Sequence, residues 1–248
     1  MERSKSMVHD PDVLERLVPE RVQPGDITGE QMLRFHVERY AFAAPHARPG
    51  RLLDIACGVG YGTRWLTDHG RGTVTAVGVD ICEDAITYAR AHYANERTSF
   101  IACDALSFTD PDGFDTIVSI ETIEHLPDAA RFIAHIVGML RRGGILIASA
   151  PTTPSVDANP YHLRDFTERS FRRLFHEHDL VEVDALRQVQ PFSVVGVLGR
   201  KEARMKQVRP NLPAYYLSHP SALARRMWSS ARHGFTNKYV TIAWRAGS

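Results

Sequence analysis

Residues that could bind a polar ligand are concentrated in the segment Leu52–Gly62, where an apolar run meets a carboxylate and then a series of glycines. Asp54 lies four residues before Gly58, and further glycines follow at alternate positions. Glycine admits backbone angles closed to other residues, and the N–H groups at a helix start attract polar atoms. The spacing misses the dinucleotide fingerprint G-x-G-x-x-G, because a threonine stands where the third glycine belongs. The segment predicts a ligand-binding turn of another kind.

Three further acids follow apolar runs that have the composition of strands. Asp80, Asp104 and Glu121 come directly after, or one residue beyond, the runs Val74–Val79, Ser99–Cys103 and Phe114–Ser119. Ligands of parallel α/β sheets bind outside the carboxyl ends of the strands, and an acid after the second strand is placed to accept hydrogen bonds from a ribose diol. The three acids and the glycine turn are therefore predicted to meet at one edge of a sheet.

The elements that position these acids alternate between strand and helix from Leu52 to Ala150. This alternation predicts a parallel sheet with right-handed crossovers. Residues 128–140 predict a helix, and Ile145–Ala150 predicts the fifth strand. A helix beginning at Thr167, a strand over residues 180–186 and a last strand over residues 239–244 follow.

One helix precedes the first strand. Thr28 and Gln31 have the spacing of a capping box, and Pro45 predicts the end of that helix. Residues 1–27 are expected to form an N-terminal arm, residues 28–248 the catalytic domain, and residues 190–237 a basic insertion between the last two strands.

The composition is that of a soluble globular protein, with 44% hydrophobic and 24% charged residues among 248. That length fits one α/β domain with an elaborated end. No apolar stretch has the length of a signal peptide or of a membrane span, which predicts a cytoplasmic protein. The three cysteines lack metal-type spacing and are expected to be structural thiols.

In this order the motifs resemble the class I S-adenosylmethionine (AdoMet)-dependent methyltransferases, whose first motif reads acid-x-Gly-x-Gly-x-Gly. Ala56 stands in place of the first glycine, which should narrow the turn. The resemblance implies an α/β fold: a Rossmann-like, seven-stranded, mostly parallel sheet with helices on both faces and the last strand antiparallel. It also implies AdoMet as the cofactor.

The same resemblance implies roles for particular residues. Asp80 would bind the ribose, Asp104 the adenine, and Glu121 would flank the methionine part. The full set of cofactor-binding residues that it implies is Asp54, Ala56, Gly58, Gly60, Tyr61, Asp80, Ile81, Asp104, Ala105 and Glu121.

Four strings, among them Glu121–Leu126 and Asn159–Phe166, are similar to bacterial methyltransferases found with polysaccharide and natural-product sugar assembly. This narrower resemblance covers about residues 28–190 and implies O-methylation of a sugar-like, glycan or natural-product hydroxyl. A hydroxyl acceptor needs a base, and imidazole titrates close to neutral pH. His125 and His162 are the two catalytic candidates, with helix packing or a local loop hydrogen bond as the alternative for each.

Other functions stay open at this stage. They are N- or O-methylation of a phenolic or amine small molecule, RNA methylation and a non-catalytic AdoMet-binding scaffold. DNA is not an expected partner, because the chain lacks the Asn/Asp-Pro-Pro-aromatic string of enzymes that methylate base amino groups.

The string Glu121-x-x-Glu124-His125 has a second interpretation. It is similar to quinone-pathway O-methyltransferases, in which two carboxylates and an imidazole bind a divalent cation such as Mg²⁺. A hard cation would acidify an acceptor hydroxyl. The primary expectation is that no metal is bound, with Glu121, Glu124 and His125 as the candidate ligands otherwise.

Positive charge is concentrated near the end of the chain. Residues 200–245 contain ten Lys or Arg and one acid, and the remainder has a net charge of −8. A helix-like part containing Arg225, Arg226 and Arg232 could contact an anionic acceptor or form a solvated face. A membrane surface is the less favoured partner.

Overall fold

A computed structural model describes residues 17–191, 209 and 211–247. The remaining parts of the expected N-terminal arm and basic insertion lie outside the described residues. The helices are α1 (Ile27–His46), α2 (Tyr61–His69), α3 (Glu83–His92), α4 (Ala129–Gly138), α5 (Glu168–Arg173), α6 (Leu212–Ser218) and α7 (Pro220–His233). The strands are β1 (Gly50–Ile55), β2 (Thr73–Asp80), β3 (Thr98–Ala102), β4 (Phe114–Ser119), β5 (Leu140–Pro151), β6 (Leu180–Pro191) and β7 (Thr236–Ala246).

The strands form one seven-stranded sheet in the order β3-β2-β1-β4-β5-β7-β6. The first five strands pair in parallel, and β7 runs antiparallel to both β5 and β6. Strand order reverses between β1 and β4, and such a reversal opens a crevice at the carboxyl ends of the strands. The expected mostly parallel sheet with an antiparallel last strand is confirmed.

Apolar side chains cover both faces of the sheet. On one face α4 contributes Phe132, Ile133 and Ile136, all fully buried, against a cluster that reaches Phe175 and Trp244. On the other face the first helix packs Tyr40 and neighbouring alanines over the central strands. The sheet is therefore a rigid platform for loops at its carboxyl edge.

The first helix begins and ends differently from the sequence expectation. Its cap is Asp26, whose Oδ1 accepts from Gly29 N at 2.9 Å, and not Thr28. Pro45 was expected to end the helix but lies inside its last turn. Proline has no N–H there, so the helix lacks one hydrogen bond near its end. Strand β6 also continues beyond the expected residue 186 to Pro191, because β7 pairs with it along that whole length.

Two short helices belong to the basic insertion, and they pack against the loop after β5. The Arg226 Nε donates to Asp157 Oδ2 at 2.7 Å, and the Tyr216 hydroxyl donates to the same carboxylate. Asp157 is only 3% exposed, so this ion pair fixes α6 and α7 to the loop. Among the described residues, none of the helices has the length and hydropathy that a membrane crossing requires.

Candidate active site

An open cleft lies at the carboxyl ends of β1, β2 and β4 and encloses about 1010 Å³, part of it open solvent. Such crevices are the usual ligand sites of doubly wound sheets. Its walls contain nine of the residues that the sequence singled out: Ala56, Gly58, Tyr61, Asp80, Ile81, Asp104, Ala105, Glu121 and His125. Asp54, Gly60 and His162 are not among the lining residues.

The turn after β1 has a backbone that suits glycine. Ala56, Gly58 and Gly60 all have positive φ angles, of 63°, 57° and 88°. A Cβ atom at Gly60 would lie 2.6 Å from the Phe100 ring, so this turn also packs too tightly for a side chain. Ala56 adopts the left-handed conformation that a glycine would reach at lower cost, and it lines the cleft.

Asp80 connects the turn to the second strand. Its Oδ2 accepts from Gly58 N at 3.0 Å and its Oδ1 accepts from Cys82 N at 2.8 Å. The side chain is 6% exposed, and that small surface faces the cleft. Each carboxylate oxygen has a second lone pair, so Asp80 is placed to accept hydrogen bonds from a bound diol as well.

Asp54 lies beneath the turn and is fully buried. Its Oδ2 accepts from the Thr63 hydroxyl at 2.7 Å and from the Tyr40 hydroxyl at 3.4 Å, whereas Oδ1 has no hydrogen-bond partner among the described residues. Gly62 makes this contact possible, because a Cβ there would lie 1.9 Å from Tyr40 Cζ. Burial raises the pKa of Asp54 to about 7.

The raised pKa of Asp54 predicts a pH-dependent stability. The folded state binds this proton more tightly than the unfolded chain, so the contribution is complete below the ordinary pKa of 3.8 and is lost as pH rises through about 7. Between about pH 5 and about pH 8 we expect the free energy of unfolding to fall less in Asp54→Asn than in the parent protein. The difference between the two falls should be on the order of 3 kcal/mol. Urea unfolding at both pH values measures this difference, and equal losses in the two proteins would contradict it.

Glu121 is held in a strained conformation at the end of β4. Its φ is 50°, outside the range that a residue with a Cβ prefers. The Ser149 hydroxyl accepts from Glu121 N at 2.9 Å and donates to its Oε1 at 2.8 Å, which fixes the carboxylate at the cleft wall. The Arg39 Nη1 lies 3.7 Å from its Oε2.

Arg39 is a functional candidate that sequence reasoning did not single out. Its guanidinium is 2% exposed, donates to Gln188 Oε1 at 2.8 Å and lies over the Tyr239 ring at 4.6 Å. A buried cation needs an anionic partner, and Glu121 supplies one here. Arg39 begins the segment Arg39–Ala44, one of the four strings similar to bacterial sugar-assembly methyltransferases, but nothing in its spacing indicated a contact with Glu121.

His125 and His162 come together at one end of the cleft, with ring centroids 4.8 Å apart and the planes nearly perpendicular. The His125 Nδ1 donates to the Tyr161 carbonyl at 3.2 Å, which leaves Nε2 as the nitrogen that can accept a proton. The His162 Nδ1 lies 2.7 Å from Ser155 Oγ. His125 lines the cleft, whereas His162 is not among its lining residues.

Glu124 lies beside both imidazoles and is fully buried. Neither of its carboxylate oxygens has a hydrogen-bond partner among the described residues. Burial and the nearby negative charge of Glu121 raise the pKa of Glu124 to about 7, although the two histidines act in the opposite direction.

The structure brings together a metal-ligand set that differs from the sequence candidates. One atom each from Glu124, His125 and His162 lies within 4.8 Å of the others, whereas Glu121 is engaged by Ser149 and Arg39. Two imidazoles and one carboxylate suit transition metals, while Mg²⁺ prefers oxygen ligands. This donor set does not fit the Mg²⁺ site that the Glu-x-x-Glu-His string suggested.

Other residues at the site were absent from the sequence prediction. Leu17 and His36 line the cleft, and the His36 Nδ1 lies 2.9 Å from the Tyr61 hydroxyl. Val18 is fully buried against Val59, so residues from the expected arm cover this end of the cleft. The apolar pair Leu17 and Val18 was the signal in the sequence that could have indicated this part of the cleft.

Sequence comparison relates the chain to known proteins. A methyltransferase-domain family model matches residues 53–148. A Mycolicibacterium smegmatis protein named as an S-adenosylmethionine-dependent methyltransferase is 29% identical over 190 residues, which is 68% of this chain and 72% of that protein. Methyltransferase GfsG of Streptomyces halstedii is 33% identical over 52% of this chain, and the match spans 46% of its own length.

Structural comparison relates the fold to solved methyltransferases. The N-methyltransferase NodS of Bradyrhizobium japonicum, solved with S-adenosyl-L-homocysteine, matches with a TM-score of 0.57 and 17% identity over 90% of each chain. At this identity the likeness concerns the fold alone.

Proposed function

We propose that the chain is a class I S-adenosylmethionine-dependent methyltransferase, like the proteins that it matches, and that it methylates a hydroxyl of a sugar-like, glycan or natural-product acceptor. The observation that carries the choice of a hydroxyl is the cluster of His125, His162 and buried Glu124 at the end of the cleft. An aliphatic hydroxyl is a poor nucleophile until a base takes its proton.

The cleft fits the cofactor of this family. Asp80 presents carboxylate lone pairs where a ribose diol can donate, and Asp104 is placed for the adenine end. The positive φ angles of Ala56, Gly58 and Gly60 let the backbone approach a ligand closely. S-adenosylmethionine supplies an electrophilic methyl group on a sulfonium. The Gly58–Gly60 turn and Glu121 would flank its methionine end.

His125 is the base in this proposal. Its Nδ1 is engaged by the Tyr161 carbonyl, so its Nε2 can take the acceptor proton at the cleft wall. Glu124 lies beside the imidazole, and its carboxylate would stabilise the resulting imidazolium. His162 packs edge-on against His125 and orients it, with its own Nδ1 held by Ser155. Positioning the hydroxyl in line with the methyl would contribute roughly 7–11 kcal/mol to lowering the barrier.

The choice among acceptors rests on this base. A phenol ionises near pH 10 and a neutral amine is already nucleophilic, so both depend less on a base than the far less acidic hydroxyl of a sugar does. Resemblance of Asn159–Phe166 to sugar-assembly methyltransferases supports the same class, and that loop contains His162.

An acceptor screen with methyl-labelled AdoMet tests the proposal. The panel contains nucleotide sugars, glycans, catechols, aliphatic amines and total RNA, and the labelled product is analysed for the atom that carries the methyl group. We expect label on the oxygen of a sugar-like acceptor. Label on nitrogen, on a phenol or on RNA would favour the corresponding alternative and would leave the buried cluster without a role as base.

A further inference from the structure

Helix α7 is amphipathic, but its polar side faces the rest of the protein and its apolar side faces solvent. Its inner side consists of Ala222, Arg226, Ser229 and Ser230, all buried or half-buried against the rest of the chain. Its outer side contains Leu223, Ala224, Met227, Trp228 and Ala231, which we call the apolar face of α7. Met227 is 64% exposed and Trp228 is 69% exposed. A soluble helix normally buries its large apolar residues and exposes its polar ones.

This orientation is fixed by specific contacts. Arg226 pairs with the buried Asp157, and the same guanidinium donates to the Pro154 carbonyl. Turning the apolar face inward would break this pair and leave Asp157 as an uncompensated buried charge, which is strongly destabilising. The neighbouring helix α6 adds Leu217, which is 87% exposed. The outward display of apolar side chains is therefore part of the fold.

The charged residues of α7 itself are all basic. Arg225 and Arg232 are exposed on α7 one heptad apart, on the same side of the helix. No Asp or Glu occurs in the sequence from residue 203 to the end of the chain. Pairing two copies of this face about a two-fold axis would bring these arginines together with no acid on either helix to compensate them. The complementary occupant is negatively charged and accepts apolar side chains.

From these contacts and charges we infer that α7 docks the enzyme on an anionic phospholipid bilayer. Trp228, Met227 and Leu223 would enter the boundary between headgroups and acyl chains, while Arg225 and Arg232 contact lipid phosphates. Helices that lie in a membrane interface have this combination of aromatic, aliphatic and basic residues. The loop that α7 anchors contains His162, so docking would hold this loop close to the membrane surface. This binding does not depend on the proposed methyl transfer.

Vesicle partitioning of the full chain tests the inference. We expect flotation with vesicles of equimolar phosphatidylcholine and phosphatidylglycerol and none with phosphatidylcholine alone. Arg225→Gln with Arg232→Gln should lower the partition coefficient by roughly 30-fold, because each cation near an anionic surface contributes about a fivefold step. Met227→Ser with Trp228→Ser should lower it by roughly tenfold or more.

Matched variants elsewhere on the surface serve as controls. Val74→Ser with Val181→Ser removes apolar residues that are 60% and 64% exposed, and Arg131→Gln with Arg169→Gln removes two exposed cations. Both controls should float as the parent protein does. Equal flotation of the α7 variants and the parent, or no preference for anionic vesicles, would overturn the inference. So would a dimer, seen by light scattering, that the Met227 and Trp228 changes dissociate, or binding to RNA in place of vesicles.

Discussion

Replacing His125 by alanine is expected to lower kcat by roughly two to four orders of magnitude while the affinity for AdoMet stays unchanged. Loss of a positioned general base has an effect of this size. The affinity should hold because the imidazole contacts the Tyr161 carbonyl and His162 and is not one of the cofactor acids. Steady-state kinetics and calorimetric titration measure the two quantities separately.

The matched variant His162→Asn distinguishes a base from a residue that positions it. Asparagine can keep the hydrogen bond to Ser155, and His162 does not line the cleft, so we expect a loss of about tenfold or less. The parent rate should also fall toward acid pH, because an imidazolium cannot accept a proton. A full-size loss in His162→Asn with normal kcat in His125→Ala would transfer the base role to His162. If a chelator abolishes activity, a metal bound by Glu124, His125 and His162 would take the place of the base in this mechanism.

The second large effect is expected at Asp80. Asp80→Asn should weaken AdoMet binding roughly 10- to 100-fold, because a carboxylate that accepts hydrogen bonds contributes about 1.5–3 kcal/mol more than an unmade contact. Asparagine has one acceptor oxygen, so it cannot hold Gly58 N and Cys82 N and also bind a diol. Calorimetric titration with S-adenosylhomocysteine measures the change without turnover.

A control variant near the end of β2 removes a negative charge without removing a residue that is expected to bind the cofactor. Glu83→Gln neutralises an exposed carboxylate in the first turn of α3 and should leave the affinity unchanged. Circular dichroism and thermal unfolding establish whether the Asp80 variant still folds, since Asp80 also fixes the turn after β1. Unchanged affinity in a folded Asp80→Asn protein would mean that the ribose binds elsewhere.

The sheet and the cleft edge could be predicted from the sequence because both depend on local patterns. Apolar runs that end in an acid identified the ends of β2, β3 and β4, and the glycine turn identified the end of β1. These features meet because parallel strands share one carboxyl edge. Asp80, Asp104 and Glu121 accordingly lie on the walls of one cleft.

What the sequence did not predict depends on contacts between distant segments. The Arg39 pair with Glu121 joins residues 82 positions apart, and Arg226 joins Asp157 across 69 positions. The sequence grouped Arg226 with Arg225 and Arg232 as cations that contact an anionic acceptor or form a solvated face, whereas the structure holds Arg226 in an ion pair with the buried Asp157. The same ion pair decides which side of α7 faces outward, and periodicity alone cannot show that direction.

A crystal structure with S-adenosylhomocysteine tests the central claim most directly, because that claim assigns this cleft to the cofactor and its inner end to the chemistry. We expect the ribose hydroxyls to donate hydrogen bonds to Asp80 and the adenine to lie beside Asp104. The sulfur should face His125 Nε2 across a gap wide enough for an acceptor hydroxyl. A cofactor bound in the cleft with its sulfur turned away from His125, or bound outside the cleft, would contradict it.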